Sequence, residues 1–453
     1  MNPVPAGAAV QEPGAARAED PGEPVGPDGP GAPAGAPKPD DERGYPVHGS
    51  LSTRLGARWT GDDSDFDLRA AVELRAGDPE RHDVTLHFAG SSAIDLDGDS
   101  GDVFDGIADT YDSSFTGLVY DAYAEVHAVE ALPMIRIGRQ SDFETPAFLV
   151  YDGIRIESRE HGDKDVQLGL YGGVSTHYYE SSADGDSLFG AYLQARPWTG
   201  GRVRLDWTHA EDERNLGTVD DDLYGVSVWQ TLSPQLRVQA AYTAITGDSR
   251  DVDVRGTWYD VEADFLFQVY YYELFETQKA NPLEFGKFFE SLFDYFPFRR
   301  FGFTASKGIT ERFRLEGGID LRDVDDSDDE GAYNRDVQRY HLTAMVDQVF
   351  TDDTTVSLTG DVWETDGNHQ KTETFGADVT HAFSAETRAS IGSYYSKYKI
   401  DLLSADERED VRAYYVGMRK KLTEDLTIRA RYEYEDAEED DFQSVMVRLL
   451  WRF

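Results

Sequence analysis

The sequence predicts an all-β protein, an antiparallel transmembrane β-barrel of about 20 strands, with counts of about 16 to 22 all compatible. Three observations predict it. From residue 46 to 453, nearly every stretch of roughly 9 to 14 residues alternates apolar with polar side chains, the period of a strand wetted on one face only. No run approaches the ~20 apolar residues that a membrane helix needs, whereas a barrel strand needs only ~9 to 11. The connections are of two alternating kinds: very short ones at 232–235, 309–311, 350–353, 383–386 and 422–425, and longer acidic ones at 323–336, 365–370, 404–410 and 436–441. A soluble sandwich has no reason to keep that parity over so many hairpins. A barrel with short periplasmic turns and longer acidic extracellular loops keeps it throughout.

Taken in order, residues 1–45 are rich in Pro, Gly and Ala and carry almost no large apolar side chain. They cannot bury enough surface to offset chain entropy, so the segment is expected to be disordered. Met1 leads into it without a charged region and apolar signal core, as expected of a mature sequence whose export signal has been removed. The barrel occupies 46–453. Val203, Leu205 and Trp207 alternate with Arg202, Arg204 and Asp206; Phe313, Leu315, Gly317, Ile319 and Leu321 alternate with Arg314, Glu316, Asp320 and Arg322. In Thr427 to Glu435 the apolar set is Ile428, Ala430, Tyr432 and Tyr434, and the polar set is Arg429, Arg431, Glu433 and Glu435. Charges on a lipid face cost up to ~2–4 kcal/mol each near the bilayer midplane, so the charged sets must face inward. Alternation is lost between Thr257 and Glu276. The next segment, 281–298, spaces Leu283, Phe285, Phe288, Phe289, Leu292, Phe293 and Phe296 near the helical period, between Pro282 and Pro297. A helix or folded loop is expected there, in the mouth or lumen or at an interface.

Lys plus Arg number 43 against 87 Asp plus Glu, a formal net charge of −44, which repels phosphate backbones and argues against nucleic acid as a partner. Cysteine is absent, so there is neither a disulfide framework nor a thiolate metal site. The ten His residues are scattered, with no HExxH and no spacing suited to a metal, and no cofactor motif appears. A lipid-face Ser and His pair, as in a phospholipase, would have to use His209 or His381. No catalytic, cofactor or metal residues are assigned, and an enzyme is not expected. The acidic tract 95–112 begins like a Ca²⁺ loop, but with Asp95 first the sixth position is Ser100 and the twelfth Gly106, where glycine and glutamate are needed. A solvated loop, with weak divalent binding as the alternative, fits it better.

The final segment, Phe442 to Phe453, puts Val445, Val447, Leu449, Trp451 and Phe453 on one face, with Ser444, Arg448 and Arg452 on the other. Met446 and Leu450 break the pattern. This ending resembles that of the outer-membrane protein and porin families generally, whose last strand commonly closes on Phe. The resemblance implies a bacterial outer-membrane location, recognition by the barrel assembly machinery through that strand, and contact with lipid and lipopolysaccharide. Gly138-Arg139-Gln140 after Met134–Ile137, and Tyr151-Asp152-Gly153 opening the run to Glu157, also look like segments of porin-like barrels. By that resemblance Arg136, Arg139, Arg155 and Glu157 face a lumen, either lining it or forming an internal salt-bridged ladder.

Barrels of 16 to 18 strands already enclose water. The first functional reading is a channel for passive diffusion of small hydrophilic solutes or ions, favouring cations, with Arg136, Arg155, Glu157, Arg204, Asp206, Arg314, Glu316, Asp320, Arg429, Arg431, Glu433 and Arg448 as pore-lining candidates. A second reading is a sheath around a partner such as a multihaem cytochrome, whose haem would all belong to the partner, since the chain has no CxxCH. A third is a polysaccharide export channel.

Overall fold

The computed structural model describes residues 44–61, 63–98, 113–142, 149–176, 186–214, 217–275, 296–326, 336–364, 371–400, 407–437 and 441–453. Residues 1–43, most of the acidic tract (99–112) and most of the helix-like segment (281–295) lie outside the described residues.

Twenty-two strands follow one another: β1 (Val47–Thr60), β2 (Asp63–Ala76), β3 (Val84–Asp95), β4 (Phe115–Val126), β5 (Met134–Asp142), β6 (Leu149–Glu157), β7 (Gln167–Ser175), β8 (Ser187–Ala195), β9 (Gly201–Arg214), β10 (Gly217–Thr231) and β11 (Leu236–Ile245). The second half continues with β12 (Asp248–Asp260), β13 (Phe265–Leu274), β14 (Phe298–Gly308), β15 (Phe313–Val324), β16 (Val337–Asp347), β17 (Thr354–Glu364), β18 (Lys371–Ala382), β19 (Thr387–Ile400), β20 (Glu407–Lys421), β21 (Leu426–Asp436) and β22 (Phe442–Arg452). Each strand pairs antiparallel with the next, and β22 pairs with β1, so the sheet is a closed barrel. In that closing seam Leu51 faces Trp451 and Arg54 faces Arg448. Beyond it, Gly49 N–H donates to Phe453 O (2.8 Å) and Phe453 N–H to Gly49 O (3.1 Å).

With an even number of strands, β1 begins and β22 ends at the same rim, here called the terminal rim. All five short connections read from sequence lie there, joining an even strand to the next odd one. Four share one design: a large apolar residue, Ser or Thr, a variable residue, and Gln, Glu, Arg or Asp completing the turn. Leu232 N–H bonds Leu236 O (2.9 Å), Ile309 bonds Phe313 (2.8 Å), Phe383 bonds Thr387 (2.9 Å) and Leu422 bonds Leu426 (2.7 Å). In each, the hydroxyl of Ser233, Thr310, Ser384 or Thr423 accepts the N–H three residues on, at 3.0–3.2 Å, so the side chain stands in for a backbone acceptor. In one of these turns the Ser384 hydroxyl also donates to Glu386 (2.8 Å), which holds that exposed carboxyl below its usual range. The longest connections, such as 275–297 and 325–336, open at the far rim, while the terminal rim also carries connections of seven to nine residues at 77–83, 127–133 and 158–166.

Burial separates the two faces of the sheet. On a closed barrel, side chains crowd on the concave face and splay on the convex one. The splayed set is apolar and exposed, including Leu55, Leu342, Leu358, Ile391 and Val416. The crowded set is polar and includes Asp65, Asp67, Arg155, Arg204, Asp206, Asp361 and Glu433, all buried. The outer apolar band is flanked by aromatics: Trp258, Phe265, Trp451 and Phe453 towards the terminal rim, and Phe66, Tyr242, Phe301, Tyr340 and Phe375 towards the far rim.

β13 is regular although its sequence does not alternate. Phe265, Phe267, Val269 and Tyr271 point outward, and the intervening Tyr270 and Tyr272 point inward, where their hydroxyls bond Asp320 and Asp251. Two aromatic faces hid the period.

Candidate functional site

The site is the inner wall, and its sharpest feature is a corner made by glycine. Gly138 of β5 faces Gly153 of β6, which faces Gly173 of β7, all with inward parity. Gly138 has φ +127°, and a Cβ there would collide with the Ala122 carbonyl; at Gly153 it would meet the Gly172 carbonyl, and at Gly173 the Asp152 carbonyl. Only bare backbone lets the strands approach so closely, the device that bends a sheet into a tight curve. Gln140, buried, donates to the Gly138 (3.4 Å) and Gly153 (3.3 Å) carbonyls across the bend.

The glycine-arginine-glutamine run therefore builds a corner, and its Arg139 departs from the expected lumenal position. Three residues from Arg136, it falls on the opposite face of the strand, outward, where Asp152 takes it in a two-pronged pair at 2.7 Å and Val119 O accepts its other nitrogen at 3.4 Å. The carboxylate of Asp152 supplies the countercharge that a convex-face arginine needs.

All twelve pore-lining candidates stand on the inward face, and they form three groups. The first lies beside the corner. Arg136 is gripped by Glu125 (2.7 and 2.9 Å) and lies 4.2 Å over the Tyr123 ring. Arg155, facing it in register, is buried between Asp142 and Glu157, the latter at 2.9 Å, and Glu157 also accepts from Gln167 (3.3 Å). Arg204, 1% exposed, bonds Asp206 at 2.9 Å. The ring of Tyr192 joins these pairs, with Arg204 4.0 Å and Arg155 5.4 Å from its centre. Above them Leu149, Tyr151, Tyr171, Leu188, Ala210 and Leu223 form a buried apolar cluster with inward parity, and Tyr171 shares a hydrogen bond with Thr208 (2.5 Å). Water is kept from this side of the lumen, so each charge there must be answered by another.

The second group is on β15. Arg314 reaches Asp264 (2.7 and 2.8 Å) and Ser306 (3.3 Å), Asp320 holds Arg300 (2.9 Å) and the Tyr270 hydroxyl, and Glu316 is exposed between Ser306 and Thr343 in register. The third lies on β21 and β22. Arg431 bonds Glu433 (2.7 and 3.0 Å) and lies 3.9 Å over Tyr415; the single hydroxyl proton of Tyr394 is offered to Glu433 (2.7 Å) or Glu435 (2.8 Å). Arg448 donates to Ser52 (2.8 Å), and Arg429 faces it in register. The three groups are set around the wall and do not converge on one point.

The aromatic partners Tyr123, Tyr192, Tyr394 and Tyr415 were not among the candidates. Their inward parity was available in the alternation of their strands, but tyrosine serves lipid girdles as readily as lumens. His209 points outward and bonds Asp222 (3.1 Å), and His381 bonds the Thr354 hydroxyl (2.8 Å). Asp95 caps the backbone of Asp97 (3.2 Å) and Gly98 (2.8 Å), a turn of its own strand end.

No family model matches the chain, and no curated protein matches it in sequence. Among solved structures it is similar to the translocation pore of the P pilus usher PapC, with TM-score 0.54 and 8% identity, over 90% of this chain and 99% of that one. It also matches OccK3 (OpdO) of Pseudomonas aeruginosa (TM-score 0.43, 11% identity, 90% and 95% covered) and a BenF-like porin of Pseudomonas fluorescens Pf-5 (0.41, 8%, 90% and 100%). The chain has the fold of a closed antiparallel β-barrel of 22 strands, similar to that of the PapC translocation pore.

Proposed function

We propose that the protein is a bacterial outer-membrane channel through which small hydrophilic solutes diffuse, with its acidic excess favouring cations at the mouth. One observation carries this reading: a closed barrel whose outer face is an apolar band between two aromatic girdles and whose inner face holds ion-paired charge. An apolar surface of that extent is unfavourable in water and at rest in lipid, and a charged interior is at rest only in water. The P pilus usher PapC, whose barrel this one resembles, forms a translocation pore, which agrees with it. On this reading the terminal rim is periplasmic and the far rim, with its long acidic connections, faces outward.

The test is single-channel conductance of the purified protein in a planar bilayer under a salt gradient. Stable openings are expected, with permeation by small sugars or ions in a liposome-swelling assay. Verified insertion without conductance overturns the open channel and returns the barrel to the readings in which a partner fills it.

A further inference from the structure

A groove of about 740 Å³ opens at the terminal rim, between the β6–β7 connection, the β8–β9 connection and the end of β10, and is within the size range of ligand sites. Its walls are aromatic and cationic. Arg202 lies 3.7 Å over the Trp229 ring, and the two face each other in register with inward parity. Trp198, in the β8–β9 connection, is held flat: its Nε1–H is donated to the Gln230 side chain, its carbonyl accepts from Gly201 N–H (3.1 Å), and its ring lies where a Cβ of Gly201 would be. Half of that indole is still exposed. Lys164 donates to Pro197 O (2.5 Å) and Arg196 N–H to Lys164 O (2.7 Å), which ties the two connections together. A lipid girdle accounts for Trp198 but not for Trp229, which faces inward.

The chain enters the barrel at this same rim. Tyr45 donates its hydroxyl to Val84 O and lies 4.4 Å from the His82 ring, while Pro46 O accepts from Gly77 N–H (2.8 Å), so the residues before β1 leave the wall over the β2–β3 connection, 77–83. Residues 1–43 lie outside the described residues, but their sequence carries a period. Pro21, Pro24, Pro27, Pro30 and Pro33 recur at every third position, with Glu23 and Asp28 among them. Three residues per turn is the repeat of the polyproline II helix, which gathers rings at that spacing along one edge.

Length joins the two. From the exit to the near wall of the groove, the β6–β7 connection, is four strand steps. That is about 23–27 Å along the rim for strands ~4.8 Å apart and tilted by about 35–45°. The ten residues 34–43 between the proline run and the described chain span about 31–36 Å when extended. The glycine corner at Gly138, Gly153 and Gly173 bends the wall on the way, which shortens the straight path.

We propose that residues 21–33 of this chain dock in the groove as a polyproline II segment, with the proline edge against Trp229 and Trp198 and with Glu23 and Asp28 beside Arg202 and Lys164. Aromatic-lined grooves bind proline-rich segments because such a segment is stiff before it docks and loses little entropy on docking. The tether holds the segment near the groove at about millimolar effective concentration, so modest contacts suffice. Docking rests on the barrel alone and not on the channel reading.

The chain has no cysteine, so an introduced pair reports alone. In the full-length protein Gly26→Cys is combined either with Thr199→Cys in the groove or with Glu424→Cys in the β20–β21 turn, and the pair is bridged by a short bismaleimide in detergent. Each protein is first verified as folded by its heat-modifiable gel mobility. Glu424 lies four strand steps from the exit and Thr199 six, so an undocked segment meets Glu424 at least as readily. Docking is expected to give about fivefold more bridging at Thr199 than at Glu424. That preference disappears in the triple variant Pro24→Ala, Pro27→Ala, Pro30→Ala, in Trp229→Ala, and on adding an excess of a synthetic peptide of residues 18–36. The proline variant changes nothing in the wall, so it decides the matter if Trp229→Ala does not fold. Equal bridging at the two positions, or a preference that survives the proline variant, overturns docking of the proline run. Bridges found only between two chains, seen as a doubled mass, overturn docking within one chain.

Discussion

Arg204 and Asp206 sit two residues apart on β9, almost wholly out of water, and Tyr192 covers the guanidinium. A buried charge whose partner is removed keeps its desolvation penalty and loses the compensation. Asp206→Asn is therefore expected to lower unfolding stability by about 3 kcal/mol or more, read as a fall in the urea midpoint of the detergent-folded barrel. Replacing both charges together, Arg204→Met with Asp206→Leu, should recover most of the loss; a double variant as unstable as the single one would show that the pair does more than answer itself. At this scale the sequence was readable for parity and opaque for partners. Arg204 and Asp206 announced an inward face by alternating with Val203 and Leu205, but nothing local said that Tyr192, on another strand, would lie against the arginine. Arg139 shows the same limit: its two-pronged partner, Asp152, comes from the neighbouring strand, and pairing offsets leave no local mark.

Elements carry their own instructions at the turns. The hydroxyls of Ser233, Thr310, Ser384 and Thr423 close the turns they begin, and that pattern was visible as short connections before any fold was known. Thr423→Val should remove a cap worth about 1 kcal/mol, slow refolding into detergent micelles and leave channel selectivity alone. The glycine corner is less forgiving. Gly153→Val pushes a branched side chain into the backbone of β7, and loss of the heat-modifiable folded band is expected; Gly360→Ala, whose Cβ would lie 3.7 Å from the Phe375 ring, serves as the tolerated control. A folded Gly153→Val barrel of normal stability would show that the corner does not need bare backbone. β13 was the element least legible in sequence, because inward tyrosines bonded to acids look the same, residue by residue, as outward tyrosines in lipid.

For the whole molecule, alternation and turn parity were enough to predict a closed barrel near the observed number of strands, since a sheet with one apolar face and one charged face has few other ways to satisfy both. What they could not supply is the arrangement of charge around the wall. Arginines 388, 419, 429, 448, 54 and 69 are dispersed through the sequence and face one another on adjacent strands only when the registers are fixed together. Two of them, Arg429 and Arg448, were candidates by parity alone.

The seam between β1 and β22 joins the first and last strands of the sheet, about 400 residues apart in sequence, with Gly49 bonded to Phe453. The cylinder cannot be sealed before β22 is in place, so until then the growing sheet keeps two bare edges that any other strand could join. Closure is thus a test of β22: a sheet lacking that strand presents open edges to other chains, and pairing it with β1 hides them from neighbours.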